Sequence, residues 1–233
     1  MSHNDSVLVV AAHPDDEVLG CGGTIARFAN EGRSVHVLLL ADGENARALA
    51  DGSGVAADAV YARNAAAEKA CHILGCASVE CLNMPDNRMD TLALLDVVKE
   101  IEKRIVDYAP GSVLTHHGND VNVDHKVTQE AVIVACRPTP GHPVAELLFF
   151  ETMSSSEWRP PGLGYGFEPN YFVDISDTLS IKNLALDVYR KEMREYPHPR
   201  SKFAIESLAR WRGATVGVAA AEAFVLGRKI ICN

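Results

Sequence analysis

The chain has 233 residues, 47% hydrophobic and 23% charged, with 22 Lys+Arg against 31 Asp+Glu and a formal net charge of −9. That length and balance suit one folded domain over residues 1–233 and exclude a disordered chain. The acidic excess argues against nucleic-acid partners. The polar start Met1–Ser6, followed by only six apolar residues, predicts neither a signal peptide nor an integral membrane segment, so a cytoplasmic protein is expected.

In chain order, Val7–Ala12 is an unbroken apolar run, the mark of a strand buried on both faces. A charged loop, His13–Glu17, follows. Helical spacing of Ile25, Phe28 and Ala29 predicts a helix over Gly22–Glu31, stopped by Gly32. Val35–Leu40 reads as a strand, Val60–Leu74 as an alanine-rich helix, Val79–Leu82 as a strand and Thr91–Tyr108 as an amphipathic helix. Ser112–Thr115 is a short strand running into a histidine-rich loop. A helix over His125–Cys136, a proline-rich loop Arg137–Pro143, and strands Leu147–Phe150 and Tyr171–Ile175 come next. The long loop Ser154–Gly166 joins those two strands. The C-terminal third is expected to be helical over Leu179–Tyr196 and Ser201–Phe224, which makes Glu222 a structural residue of an alanine-rich helix. Alternating strands and helices predict an α/β fold, a Rossmann-like three-layer α/β/α arrangement around a mostly parallel sheet. Ligands of such sheets bind beyond the carboxyl ends of the strands.

Two loops stand at that edge. The first reads Ala12-His13-Pro14-Asp15-Asp16-Glu17, and the second His116-His117-Gly118-Asn119-Asp120-Val121-Asn122-Val123-Asp124-His125. A catalytic zinc takes three N or O protein ligands and keeps one position for water. His13, one neighbouring aspartate and a histidine of the second loop would supply that set, leaving an aspartate as general base. Two plainer readings compete. A His-Pro-Asp-Asp turn also suits the cap of a following helix, and an Asn/Asp-rich loop also suits a solvated turn. Convergence of both loops at one sheet edge favours the metal. His116 and His117 alternate at a strand end, so one faces the site and the other the opposite side. Gly20-Cys21-Gly22-Gly23 lacks the Gly-x-Gly-x-x-Gly spacing of a dinucleotide turn and is expected to serve close packing. The six cysteines, Cys21, Cys71, Cys76, Cys81, Cys136 and Cys232, form no Cys-x-x-Cys pair and are expected to be reduced.

On these two motifs the sequence resembles the zinc-dependent N-deacetylase superfamily of N-acetylglucosaminyl-phosphatidylinositol de-N-acetylases and LmbE-like proteins. Further stretches are similar to bacterial members, among them Ala41-Asp42-Gly43-Glu44, Ser154-Ser155-Ser156-Glu157-Trp158 and His198-Pro199-Arg200-Ser201. The resemblance implies one zinc per chain on His13, Asp16 and His125, with Asp15 as the base that activates water. Some members carry His-Pro-Asp-His in the second motif. Here Asn122 takes the place of the first histidine, and an amide can donate to an oxyanion but cannot shuttle a proton. The acid role then falls to Asp15, His117 or His198, and Asp124 is expected to orient a metal ligand. Arg63 and Arg200 are candidates to hold substrate.

The implied function is a metal-dependent amide hydrolase, removing acetyl from an N-acetylated sugar, nucleotide sugar or lipid-linked sugar, and the resemblance is compatible with a homo-oligomer. Two alternatives are hydration of an unsaturated carboxylic acid and a non-catalytic carbohydrate- or metal-binding module. An acidic substrate would call for several basic residues, and the loop Gly43–Asp58 holds only Arg47.

Overall fold

A computed structural model describes residues 5–44 and 57–231. Arg47 with most of its loop, His3 and Cys232 lie outside the described residues. The strands are β1 (Ser6–Ala11), β2 (Ser34–Ala41), β3 (Ser78–Met84), β4 (Ser112–His116), β5 (Glu146–Phe150), β6 (Tyr171–Asp174) and β7 (Ala221–Lys229). The helices are α1 (Asp16–Asn30), α2 (Ala57–Leu74), α3 (Leu94–Tyr108), α4 (Val123–Ala135), α5 (Leu179–Val188) and α6 (Lys202–Ala214).

The sheet order is β3-β2-β1-β4-β5-β7-β6. The first five strands are parallel, with Val7 opposite Val35 on one side and Ser112 on the other. β7 runs antiparallel to both β5 and β6. Alternation along β1 builds two cores. Val7, Val9 and Ala11 pack with α1, α2, α5 and α6, while Leu8 and Val10 pack with α3 and α4. The result is the three-layer α/β/α fold. Strand order reverses between β1 and β4, which opens a crevice at their carboxyl ends. Both motif loops leave from that point. No helix among the described residues is long and apolar enough to cross a membrane.

Two sequence expectations are corrected. The helix expected over Ser201–Phe224 ends at Ala214, and Ala221–Lys229 is a strand. The run Ala219–Ala223 has high helix propensity, but pairing on both edges and burial of Ala221, Ala223 and Phe224 in the sheet override it. The helix expected over Leu179–Tyr196 ends at Val188. α1 starts at Asp16, six residues before the expected Gly22, and is interrupted at Cys21, whose φ of −147° is not helical. α4 starts at Val123 because Asn122 caps it, its side chain accepting from Asp124 N at 2.8 Å.

Candidate metal centre and active site

β1 and β4 are tied at their ends by the ring of His116. Ala12 N donates to His116 Nε2 at 2.9 Å, so the ring proton belongs on Nδ1, which lies 3.1 Å from Thr152 Oγ1. His116 stacks on His125 with centroids 3.9 Å apart. Burial and the neighbouring His125 hold its pKa well below the usual value. The adjacent His117 turns the other way, edge-on to Tyr165 and Phe167. Strand alternation thus puts His116 on the site side.

Around this ring the carboxylates and imidazoles interlock. His13 Nδ1 lies 3.1 Å from Asp16 Oδ2, and His13 Nε2 lies 2.9 Å from Asp124 Oδ2 and 3.2 Å from Asp86 Oδ1. Asp124 is itself fixed by Asn87 N at 2.6 Å and Met89 N at 3.0 Å. His125 mirrors this: Nδ1 lies 2.7 Å from Asp120 Oδ2, and Nε2 lies 3.2 Å from Asp16 Oδ2. Each of these two histidines therefore sets one nitrogen against Asp16 and the other against a supporting carboxylate, as metal-ligating histidines do. Burial opposes charge on both rings, but the carboxylates overcome it. His13 is raised well above its ordinary pKa and His125 to about 9. Burial would raise Asp16 too, yet His125 and His13 hold it well below the carboxylate range.

Asp15 occupies the N-cap position of α1 but makes no side-chain cap bond. Its backbone is at φ +123°, a conformation that costs an L residue energy. Glu17 Oε2 accepts from Asp15 N at 2.9 Å, and Tyr189 donates its hydroxyl to Glu17 Oε1 at 2.7 Å. The Asp15 carboxylate takes Arg200 Nη1 at 3.0 Å and Arg63 Nη2 at 3.4 Å. Arg63 also pairs with Glu192, and Arg200 with Ser154 Oγ at 2.7 Å. Burial raises the Asp15 pKa, and the two guanidinium groups offset part of that rise. The plain capping reading of this turn therefore does not hold. Nor does a solvated second loop, since Asp120 and Asp124 are fully buried.

The donor set fits a metal ion. Asp16 Oδ1 is buried without a hydrogen-bond partner, and His125 Nε2 has only the 3.2 Å ion-pair approach to Asp16 Oδ2. Ligand atoms of His13, Asp16 and His125 lie within 4.8 Å of one another, and those of His13, Asp86 and Asp124 form a second such group. Protons on the two imidazoles supply the positive charge that a divalent cation would replace. The structure thus brings together His13, Asp15, Asp16, Asn122, Asp124, His125, Arg63 and Arg200, the last two on Asp15. Asp86 and Asp120 were not singled out by the sequence reading. Asp120 lies within the second motif. Asp86 has only its place just past the carboxyl end of β3 to mark it.

The family of GlcNAc-PI de-N-acetylases (PIG-L) matches residues 8–136, just over half of the chain. The chain belongs to this family. "Uncharacterized deacetylase YaiS" of Escherichia coli K12 is 30% identical over 184 residues, 77% of this chain and 86% of the relative. Diacetylchitobiose deacetylase of Thermococcus kodakarensis is 29% identical over 81% of this chain and 70% of its own. Among solved structures, GalB, the 4-carboxy-2-hydroxymuconate hydratase of Pseudomonas putida KT2440, superposes with a TM-score of 0.75 at 26% identity, covering 98% of each chain.

In this PIG-L family member the glycines after the first motif serve packing. A Cβ on Gly20 would fall 2.2 Å from Phe150, and one on Gly23 2.8 Å from Ile175. They let α1 settle directly on the sheet. The break at Cys21 exposes backbone groups, and two side chains meet them. Glu222 accepts from Gly23 N (2.9 Å) and Thr24 N (2.7 Å), and Lys182 Nζ donates to Leu19 O (2.9 Å) and to Glu222 (2.6 Å). Glu222 is therefore structural, as expected, but from a strand.

Proposed function

We propose that this chain is a single-domain N-deacetylase over residues 1–233, using one zinc held by His13, Asp16 and His125 on an N-acetylated sugar or sugar conjugate. The observation that supports this most is the convergence of buried ligand atoms of His13, Asp16 and His125 within 4.8 Å of one another, set beside an aspartate whose side chain makes no cap bond. When bound, zinc supplies a Lewis acid and brings the pKa of water to about 7.

The chain's own groups do the rest. Asp15, more basic than an ordinary carboxylate because it is buried, takes the proton from the attacking water. The water oxygen bonds to the acetamide carbon, the C–N bond breaks, and acetate and a free amine leave. Asp15 returns its proton to the departing nitrogen. His117 packs away from this point, and Arg200 N donates to His198 Nδ1 at 3.0 Å, so we assign Asp15 both transfers. Arg63 and Arg200 orient its carboxylate. Asn122 uses its oxygen as a helix cap, which leaves its NH2 to face the oxyanion in the same cleft. Asp124 and Asp120 hold His13 and His125 in ligating orientation.

Metal analysis with acetate release across N-acetyl sugars, nucleotide sugars and lipid-linked sugars tests the reading. One zinc per chain and acetate from at least one class are expected. His125→Ala should lose both metal and turnover. A second reading, hydration of an unsaturated carboxylic acid, is favoured by the likeness to GalB over the whole chain. Hydration of such an acid by a chain that releases no acetate would replace the deacetylase reading with it.

A further inference from the structure

Asp15 is held in a backbone conformation that its own side chain does nothing to maintain. At φ +123° and ψ −29° it lies where an L residue is strained, and such strain persists only when the surroundings over-determine it. An aspartate at a helix N-cap ordinarily accepts from the N–H two or three residues on. The Asp15 carboxylate instead lines the cleft, where it takes Arg200 and Arg63.

Other groups hold its backbone. Asp15 O accepts from Val18 N at 3.1 Å and Leu19 N at 2.9 Å, in the first turn of α1. Asp15 N donates to Glu17 Oε2 at 2.9 Å. Glu17 is fully buried, and among the described residues no cation pairs with its carboxylate. Its other oxygen, Oε1, takes the hydroxyl of Tyr189 at 2.7 Å. Tyr189 is itself buried at the C-terminal end of α5, 172 residues along the chain.

That end of α5 reaches Asp15 by a second route. Glu192 N donates to Tyr189 O at 2.8 Å, Glu192 pairs with Arg63, and Arg63 with Asp15. One turn of chain therefore fixes the Asp15 backbone through Glu17 and its carboxylate through Arg63. An ordinary capping box needs neither a strained N-cap nor a buried tyrosine from another helix.

Resting on the deacetylase reading above, we propose that Glu17 and Tyr189 are positioning residues for the carboxylate that moves the proton. Glu17 takes over the capping that Asp15 gives up, and Tyr189 fixes Glu17. The strained turn then aims Asp15 at the cleft.

Tyr189→Phe keeps the ring and removes one hydroxyl, and Glu17→Met removes the acceptor for Asp15 N. Amide hydrogen exchange, read by NMR on the zinc-loaded chain, needs no substrate. Both variants should speed exchange at Asp15 N about tenfold, while the amides of β1 and β4 keep their natural rates. Acetate release from the best substrate of the panel above should show kcat lowered about tenfold in both, short of the ~10²-fold loss that a displacement of about 1 Å produces. KM and zinc content should not change. Glu17→Gln keeps an acceptor for Asp15 N and should restore most of kcat. In an Asp15→Asn chain, adding Tyr189→Phe should lower the residual rate no further, because the brace acts only through Asp15.

Natural exchange at Asp15 N, or exchange that rises in step with the strand amides, overturns the brace. So do a natural kcat in Tyr189→Phe, an additive loss in Asp15→Asn, and loss of zinc from Tyr189→Phe. Natural turnover in Asp15→Asn, or no acetate from any substrate, removes the deacetylase reading instead, and the exchange rates then decide the brace alone.

Discussion

Two clusters of buried charge lie on either side of Leu19, and they are built on opposite principles. At the break in α1, Lys182 and Glu222 form a closed set in which the carboxylate takes two backbone N–H groups and the ammonium, and the ammonium also takes a carbonyl. At the end of β1, four aspartates, Asp16, Asp86, Asp120 and Asp124, crowd around His13, His116 and His125, and Asp16 Oδ1 there has no hydrogen-bond partner. Burial of charge is costly unless it is paired. The first cluster meets that cost internally. The second is paired by protons on His13 and His125, which a bound cation would replace. A buried charge with every lone pair taken holds the fold, whereas a buried charge with a converging deficit is a binding site.

The contrast can be broken at either end. Asp15→Ala is expected to lower kcat by about 10²–10⁴-fold while zinc content stays at one per chain, measured by acetate release and metal analysis. Wild-type turnover would remove Asp15 as the base. Lys182→Met should act oppositely. It leaves the Glu222 carboxylate buried without its counter-ion and is expected to cost about 3–5 kcal/mol in urea unfolding, with the folded fraction still binding metal. A metal-free but fully stable Lys182→Met chain would erase the distinction between the clusters. Gly23→Ala puts a Cβ 2.8 Å from the Ile175 side chain and should cost about 1–3 kcal/mol by the same measurement.

The smallest effect belongs to a pair at the surface. Arg104 Nη2 lies 2.7 Å from Glu80, whose side chain is 37% exposed. The Arg104 and Tyr108 hydrogen bonds lower the Glu80 pKa from its ordinary 4.5. A folded-state pKa below the unfolded one stabilises above pH 4.5 and loses that contribution as pH falls. Glu80→Gln should cost under about 1 kcal/mol at neutral pH, and the difference from the natural chain should shrink as pH falls from 4.5 through the lowered folded-state pKa.

How far the sequence was legible follows the same division. His13, Asp16 and His125 stand in short motifs at strand ends, where composition and position coincide, and the five-stranded parallel region follows from unbroken apolar runs. The arginines on Asp15 come from 48 and 185 residues away, and no local pattern links them to it. Asp86 follows β3 as an ordinary Pro-Asp turn and gains meaning only when His13 arrives beside it. β7 was misread because a short run such as Ala219–Phe224 has no periodicity that separates helix from strand. Its insertion between β5 and β6 is decided by tertiary pairing. Glu222 then acquires its role from a helix break that Gly20-Cys21-Gly22-Gly23 permits but does not announce.

That break also fixes when the centre can be finished during synthesis. Asp16 and Glu17 ride on the first half of α1, and the backbone groups flanking its end are held by Lys182 and by Glu222, about 200 residues downstream. A nascent chain has the three proposed metal ligands once His125 has emerged, but the backbone at the end of the half-helix bearing Asp16 still lacks Lys182 and Glu222. β7 must slot between β5 and β6 before that segment is locked. Contacts this distant in sequence close slowly. Completion of the centre therefore waits on β7 rather than on the residues that would bind the ion.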